Sequence, residues 1–288
     1  MYCDLHTHSH FSDGSHSPAW LISQAREQNL AIALTDHNTV SGLPEFLAEA
    51  KKQGVRAIPG IEFSTVCQGT ELHLVGLFIA PEHFAYLESV AADFHRRKAE
   101  ANREMVRRLN AAGYEINYEE LLAKSKTGNI NRAHMANALV EKGYMTTPQE
   151  AFEKLLGDDL PIYVSCQRLE TAEAVRILRK IRAVPILAHP MQELTEEGLR
   201  QVLPELKEAG LIGLETHHSS YDDAAIETAA AIAREFGLLP SGGSDFHGKA
   251  KPDIALGTGK GNLHIPTAFL DALEEAKMRC NGGSFHDF

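Results

Sequence analysis

The chain has no run of about 18 apolar residues, the length needed to cross a bilayer, so no membrane span and no membrane partner is predicted. Paired cysteines are also lacking. Cys3, Cys67, Cys166 and Cys280 are scattered with no Cys-x-x-Cys, which predicts reduced thiols. Met1 leads straight into Tyr-Cys-Asp-Leu-His, with neither the basic nor the apolar region of a secretory leader. Together these features predict a cytoplasmic protein. There are no internal repeats or low-complexity tracts. Positive charge is scarce: the net charge of −11 argues against non-specific binding to long nucleic acid. No obligate protein partner is evident.

What is present is an ordinary globular composition, 43 % apolar and 23 % charged over 288 residues, ample for one barrel-type domain with an insertion. The stretch around which the chain is organised runs from Asp4 to Gly14, Asp-Leu-His-Thr-His-Ser-His-Phe-Ser-Asp-Gly. His6 and His8 are two apart, so on an extended chain both imidazoles point to one side and can grip one divalent ion. Asp13 follows on a turn before Gly14. A lone His-x-His is equally the mark of two surface or packed histidines; its weight comes from recurrence.

The recurrence is regular. A helix from Pro18 to Asn29, capped by Ser17, precedes a strand Leu30–Thr35 that runs into Asp36-His37. A helix Leu43–Gln53 closed by Gly54 precedes a strand Val55–Ile61 that ends in Glu62. A strand Leu72–Ile79 carries His73 near its start. Residues 82–180 then read mainly as helix, and 82–165 is expected to be a helical insertion over one face of the barrel, contributing to substrate binding. The alternation resumes with Val184–Ala188 ending in His189, Leu211–Glu215 followed by His217 and His218, and Leu238–Gly242 running into Ser244-Asp245-Phe246-His247. The last helix is Thr267–Met278, and the tail after it has no evident role. Seven apparent βα units predict a parallel α/β barrel built from residues 1–81 and 166–288. The C-terminal strand ends of such a barrel converge on one face. His6, His8, Asp13, His37, Glu62, His73, His189, Asp245 and His247 are therefore expected to meet on one rim as a multinuclear metal site.

Asp-Leu-His-Thr-His, Leu-Thr-Asp-His-Asn, Ile-Pro-Gly-Ile-Glu, Glu-Leu-His-Leu-Val-Gly, Ala-His-Pro and Gly-Ser-Asp-Phe-His resemble, in this order, the motifs of the PHP (polymerase and histidinol phosphatase) family. The resemblance covers nearly the whole chain. It is closest to the stand-alone members that act on nucleoside 3′,5′-bisphosphates and on the 5′ ends of short RNA, and Arg132-Ala-His134 belongs to that closer likeness. It implies a distorted (β/α)7 TIM-like barrel with three divalent ions. One would be held by His6, His8, Glu62 and Asp245; one by Glu62, His73 and His189; one by Asp13, His37 and His247. Nitrogen and carboxylate ligands suit manganese, zinc or iron. The implied chemistry is attack on phosphorus by a metal-activated hydroxide. Asp36 is expected to orient a ligand histidine rather than bind metal. Glu62, Asp13 and His247 are the candidate catalytic groups. The proton for the leaving oxygen is left between His247, Asp13 and a bound water.

Substrate contacts are expected from Asp13 and His247 at the metals, and from Arg132, His134, Arg97 and Lys98 in the insertion, where a guanidinium can grip phosphate bidentately. The run His95-Arg96-Arg97-Lys98 is the densest basic stretch, but Lys98 and Ala101 stand where relatives often show Arg-x-x-Arg. Glu215, His217 and His218 fall outside the nine-residue pattern. The leading expectation is a metal-dependent phosphoesterase acting on a phosphorylated small molecule or short oligonucleotide. The alternatives are a phosphatase of a mononucleotide or histidinol phosphate, an amidohydrolase-type deaminase, and a non-catalytic metal-binding PHP module. A deaminase typically needs a bridging modified lysine near the fourth strand, and Glu62 stands as the bridging candidate here instead.

Overall fold

The structure, a computed structural model, describes residues 2–125, 130–157, 160–164 and 168–282. Cys166, the side chains of His95 and Cys280, and the tail from 283 lie outside the described residues. The chain divides into two compact units, Met1–Glu88 with Leu169–Phe288, and Ser89–Arg168.

The first unit is built on a seven-stranded sheet whose strands lie in chain order: β1 (Tyr2–Asp4), β2 (Leu30–Leu34), β3 (Ala57–Cys67), β4 (Thr70–Leu77), β5 (Val184–Ala188), β6 (Gly213–His218) and β7 (Leu239–Gly243). The continuations of β1 and β7 join by backbone bonds, Leu5 N to Gly242 O at 3.1 Å and Asp245 N to His6 O at 2.9 Å, so the sheet nearly closes into a barrel. Asp4 secures the seam. Its buried carboxylate accepts from Ser244 N at 2.8 Å, Ser244 Oγ at 2.5 Å and Gly257 N at 2.8 Å. Gly243 has to be glycine, because a Cβ there would fall 2.2 Å from Cβ of His6. Inside and beneath the sheet, Cys3, Leu5, Ala33, Ile58, Val75, Leu77, Ile186 and Ile265 form the core. Helices α1 (Pro18–Glu27) and α2 (Leu43–Gln53) follow β1 and β2. Ser17 caps α1 by accepting from Trp20 N, and left-handed Gly54 (φ 69°) ends α2, as their sequences predict.

One expected βα unit is not formed. Glu62 does not end β3; the strand continues to Cys67 and turns through Gln68 (φ 51°) and Gly69 (φ 86°) directly into β4. Two successive positive-φ residues make the tight hairpin that a right-handed strand twist favours. β4 is consequently antiparallel to both neighbours, while the remaining pairs are parallel. This reversal brings the start of β4, where His73 lies, level with the ends of its neighbours: His73 pairs with Ala188, the residue before His189.

In the second unit, α3 (Phe84–Ala111, its first turn in the barrel unit), α4 (Tyr118–Lys124), α5 (Arg132–Glu141) and α6 (Pro148–Ala151) pack around their own core of Met105, Leu109, Leu121, Met135, Leu139 and Leu156. The barrel unit continues with α7 (Thr171–Lys180), α8 (Pro190–Glu193), α9 (Glu196–Ala209), α10 (Asp223–Glu235) and α11 (Thr267–Gly282). Among the described residues no helix is long and apolar enough to cross a membrane.

Candidate metal centre

Glu62 stands at the middle of the site, fully buried, and five imidazoles surround its carboxylate. Oε2 lies 3.2 Å from His6 Nε2, 3.2 Å from His8 Nε2 and 3.0 Å from His37 Nδ1. Oε1 faces a different pair, His73 Nδ1 at 2.9 Å and His189 Nε2 at 3.1 Å. The backbone explains the convergence. Thr7 turns its hydroxyl to Ala33 O, so His6 and His8 on either side of it point the opposite way. Asn38 N bonds Glu62 O, and Glu62 N bonds Asp36 O, which carries His37 alongside. The remaining rim residues close around this core. Asp245 Oδ1 is 3.3 Å from His8 Nε2, and His247 Nε2 is 3.1 Å from Asp13 Oδ1. All nine expected residues thus meet, in overlapping groups: His6, His8 and Asp245; His6, Glu62 and His189; His37, Glu62 and His73; and His8, Asp13, His37 and His247.

Buried polar atoms normally find partners. Here His6 Nε2, both nitrogens of His8, His37 Nδ1, His189 Nδ1 and Glu62 Oε2 have none that forms a proper hydrogen bond. A single oxygen ringed by three ring nitrogens cannot satisfy them as an acceptor, whereas lone pairs aimed at a common anion suit a cation between them. The donor set, imidazole and carboxylate without thiolate, fits divalent transition ions. The electrostatics agree. Burial alone would raise the Glu62 carboxyl, but the charges of His37, His6 and His73 outweigh it and hold it well below the usual carboxylate range. Burial likewise opposes charge on His8 and His73, yet carboxylates lift them to about 9 and about 10.

Four residues make contacts that the sequence pattern does not reveal. Among the described residues the Asp36 carboxylate bonds serines rather than a histidine: it accepts from Ser9 N at 2.7 Å, Ser9 Oγ at 2.6 Å and Ser12 Oγ at 2.7 Å, and so anchors the loop that presents Asp13. Glu215 reaches His6 and the backbone of His189. His218 Nε2 lies 3.5 Å from Asp245 Oδ2. Strand alternation would pair Glu215 with His217 on one face. A bulge between them in β6 shifts the phase, so His217 packs against Phe269 and His218 turns inward. Lys251, not foreseen either, meets Asp245 Oδ2 at 2.5 Å.

Three of the four candidates in the helical unit have partners of their own there. Arg132 Nη1 donates to Leu156 O at 2.9 Å, with its guanidinium over the rings of Tyr163 and Phe152. His134 completes a capping box with Asn131 at the start of α5. Arg97 pairs with Asp93, and Lys98 is exposed.

Comparison with known proteins agrees with this geometry. Residues 4–159 match the PHP domain. A 5′-3′ exoribonuclease from Haemophilus influenzae is 32 % identical over 249 residues, 85 % of this chain and 89 % of that protein. A 3′,5′-nucleoside bisphosphate phosphatase from Chromobacterium violaceum is 31 % identical, over 85 % of this chain and 86 % of its own. The crystal structure of a proposed metal-dependent phosphoesterase from Bifidobacterium adolescentis superposes with a TM-score of 0.67 at 28 % identity, covering 94 % of each chain. With a domain match over more than half of its length and relatives aligned over most of it, the chain belongs to the PHP family of metal-dependent phosphoesterases.

Proposed function

We propose that this rim holds three divalent ions and hydrolyses a nucleoside 3′,5′-bisphosphate or the 5′ end of short RNA. The observation that carries the metal reading is the division of Glu62 between two histidine sets, since a carboxylate with each oxygen facing its own ring nitrogens is placed to bridge two ions. His6, His8 and Asp245 would complete one position, His73 and His189 the second, and Asp13, His37 and His247 the third. What such ions supply when bound is neutralisation of the phosphoryl oxygens and acidification of the attacking water.

The chain's own residues determine from which side the substrate enters. Glu62, His6, His8 and His247 are sealed inside, whereas the side chains of His37 and His73 are each 22 % exposed and that of Asp13 is 46 % exposed. The scissile phosphate is received on the open side, over Asp13, His37 and His73. Asp13 touches it there, with His247 buried directly behind it, 3.1 Å from Asp13 Oδ1. The loop fixed by Asp36 keeps Asp13 in place. Arg132, with His134, Arg97 and Lys98, is the proposed source of contacts to a second phosphate. The nucleotide reading follows the exoribonuclease and bisphosphate phosphatase activities of the two relatives. The test is phosphate or nucleotide release, with manganese, from nucleoside 3′,5′-bisphosphates, 5′-phosphorylated short RNA, mononucleotides and histidinol phosphate. Turnover of the last two alone would overturn the substrate choice.

A further inference from the structure

We propose that Glu215 is a positioning residue that selects the ring nitrogen His6 offers to a metal ion and simultaneously holds the backbone of His189, so that one buried carboxylate sets ligands of two different ion positions. The proposal rests on the metal reading above. Glu215 is 3 % exposed on β6 and belongs to none of the groups of converging ligand atoms found among the described residues. Both its oxygens are already engaged. Oε2 accepts the backbone N–H of His189 at 2.7 Å. Oε1 and Oε2 lie 3.2 and 3.4 Å from His6 Nδ1.

An ionised carboxylate can only accept, so Nδ1 of His6 must carry the proton. In the neutral ring that metal ligation requires, the opposite nitrogen, Nε2, then holds the lone pair. It is the atom that points at Glu62 Oε2, 3.2 Å away, and at Asp245 Oδ1, 3.8 Å away, with no hydrogen-bond partner of its own. Only this tautomer turns an electron pair, rather than a proton, toward the ion position.

The second contact acts on the backbone. His189 has φ 28° and ψ 45°, a left-handed conformation that residues with a side chain rarely adopt. It follows the last residue of β5, and its N–H is taken up by Glu215. This bend directs the His189 ring back over the strand end, where Nε2 sits 3.1 Å from Glu62 Oε1. His6 and His189 rings consequently stack 5.6 Å apart, and the carboxylate that supports both lies outside the metal-facing side of each.

E215Q separates the two demands. Its amide oxygen can serve one partner, but its NH2 group must face the other. Either His6 reverses its tautomer and points Nε2–H at Glu62, or the His189 N–H loses its acceptor. Manganese affinity of the apo-protein, measured by competition with a chelating indicator, should fall about 10- to 100-fold, the loss typical when the partner that orients a ligand is removed. The melting curve of the chelated variant establishes that it is folded. Wild-type affinity and stoichiometry in folded E215Q would overturn the proposal. Absence of metal binding by the wild type would instead overturn the metal reading. A second measurement needs no variant: nitrogen-15 spectra of the zinc-loaded wild type should show His6 with a slowly exchanging proton on Nδ1. Ligation through Nδ1, with a freely exchanging Nε2–H, would overturn the proposal even if E215Q failed to fold.

Discussion

Glu62 and His73 meet at 2.9 Å from neighbouring strands that run in opposite directions. Glu62 pairs with Val75 and His73 with Ser64, so the two side chains share a face and lean together diagonally across the hairpin. The contact uses only one oxygen of Glu62, which leaves the other for His6, His8 and His37. Glu62→Gln should therefore disturb two ion positions at once. We expect kcat/KM to fall by more than the roughly 100-fold that marks the upper range for residues that only support a ligand. The chelated variant should remain folded. Near-normal turnover would show that the bridging assignment is wrong.

Metal content follows from the same geometry. Protein purified without chelator and supplied with manganese should carry up to three ions per chain by elemental analysis, and dialysis against chelator should abolish turnover until manganese is returned. One ion or none in the replete protein would sink the three-ion reading.

The ionisation of the rim predicts opposite pH trends with and without metal. His8 at about 9 and His73 at about 10 are raised above the ordinary histidine value. In the chelated protein their contribution to stability is complete below about pH 6.5 and is lost as pH rises through 9–10. The depressed carboxylates Glu62 and Asp245 stay ionised across that interval and do not offset the loss. The melting temperature of chelated protein should thus decline from pH 7 to pH 10. With manganese the trend should reverse up to the point where hydroxide competes, because a ligating imidazole must first give up its proton. A chelated protein that gains stability over the same range would contradict these assignments.

How much of this was legible in the sequence varied with the range of the interaction involved. His-x-His at a strand end, or Asp-x-His after another, is a local pattern, and strand polarity carries such ends to one rim; His73 does not follow from that, because it stands at the start of β4 and reaches the rim only through the reversal of that strand. The β3–β4 hairpin is not legible in the sequence because strand and connection look alike in Glu62–Leu77, where Gln-Gly replaces the more familiar Asn-Gly turn. The inward turn of His218 depends on a one-residue bulge after Glu215, which no period-2 reading contains. Asp36 stands beside His37 in sequence, whereas its partners, Ser9 and Ser12, lie on the loop that follows the neighbouring strand β1.

The cysteines give a prediction about the N-terminal strand. Burial, and then the charge of Asp4, push the Cys3 thiol up to about 12, and burial also raises Cys67. A protonated, enclosed thiol is a poor nucleophile. At pH 8 iodoacetamide should leave both unmodified in native protein and label both in urea, as read by peptide mass spectrometry. Rapid native labelling of Cys3 would show that β1 is not held in the sheet as described.

Arg132 separates a substrate contact from a structural one. Its hydrogen bond to Leu156 O and its place over Tyr163 already give it work within the helical unit. Its loss should lower the stability of that unit by about 1–3 kcal/mol, from the charged hydrogen bond and the ring contact together. If Arg132 also holds a second phosphate, Arg132→Ala must do something that a stability loss cannot: discriminate between substrates. A charge-assisted contact of about 1.5–3 kcal/mol corresponds to roughly 10- to 150-fold in kcat/KM. That loss is expected with a nucleoside 3′,5′-bisphosphate, and a much smaller one with an aryl phosphate that has no second phosphate to hold. The measurement is kcat/KM for both substrates with both proteins, well below the melting transition of the variant. Equal losses on the two substrates would confine Arg132 to the fold of the helical unit, and the second phosphate would need another receptor.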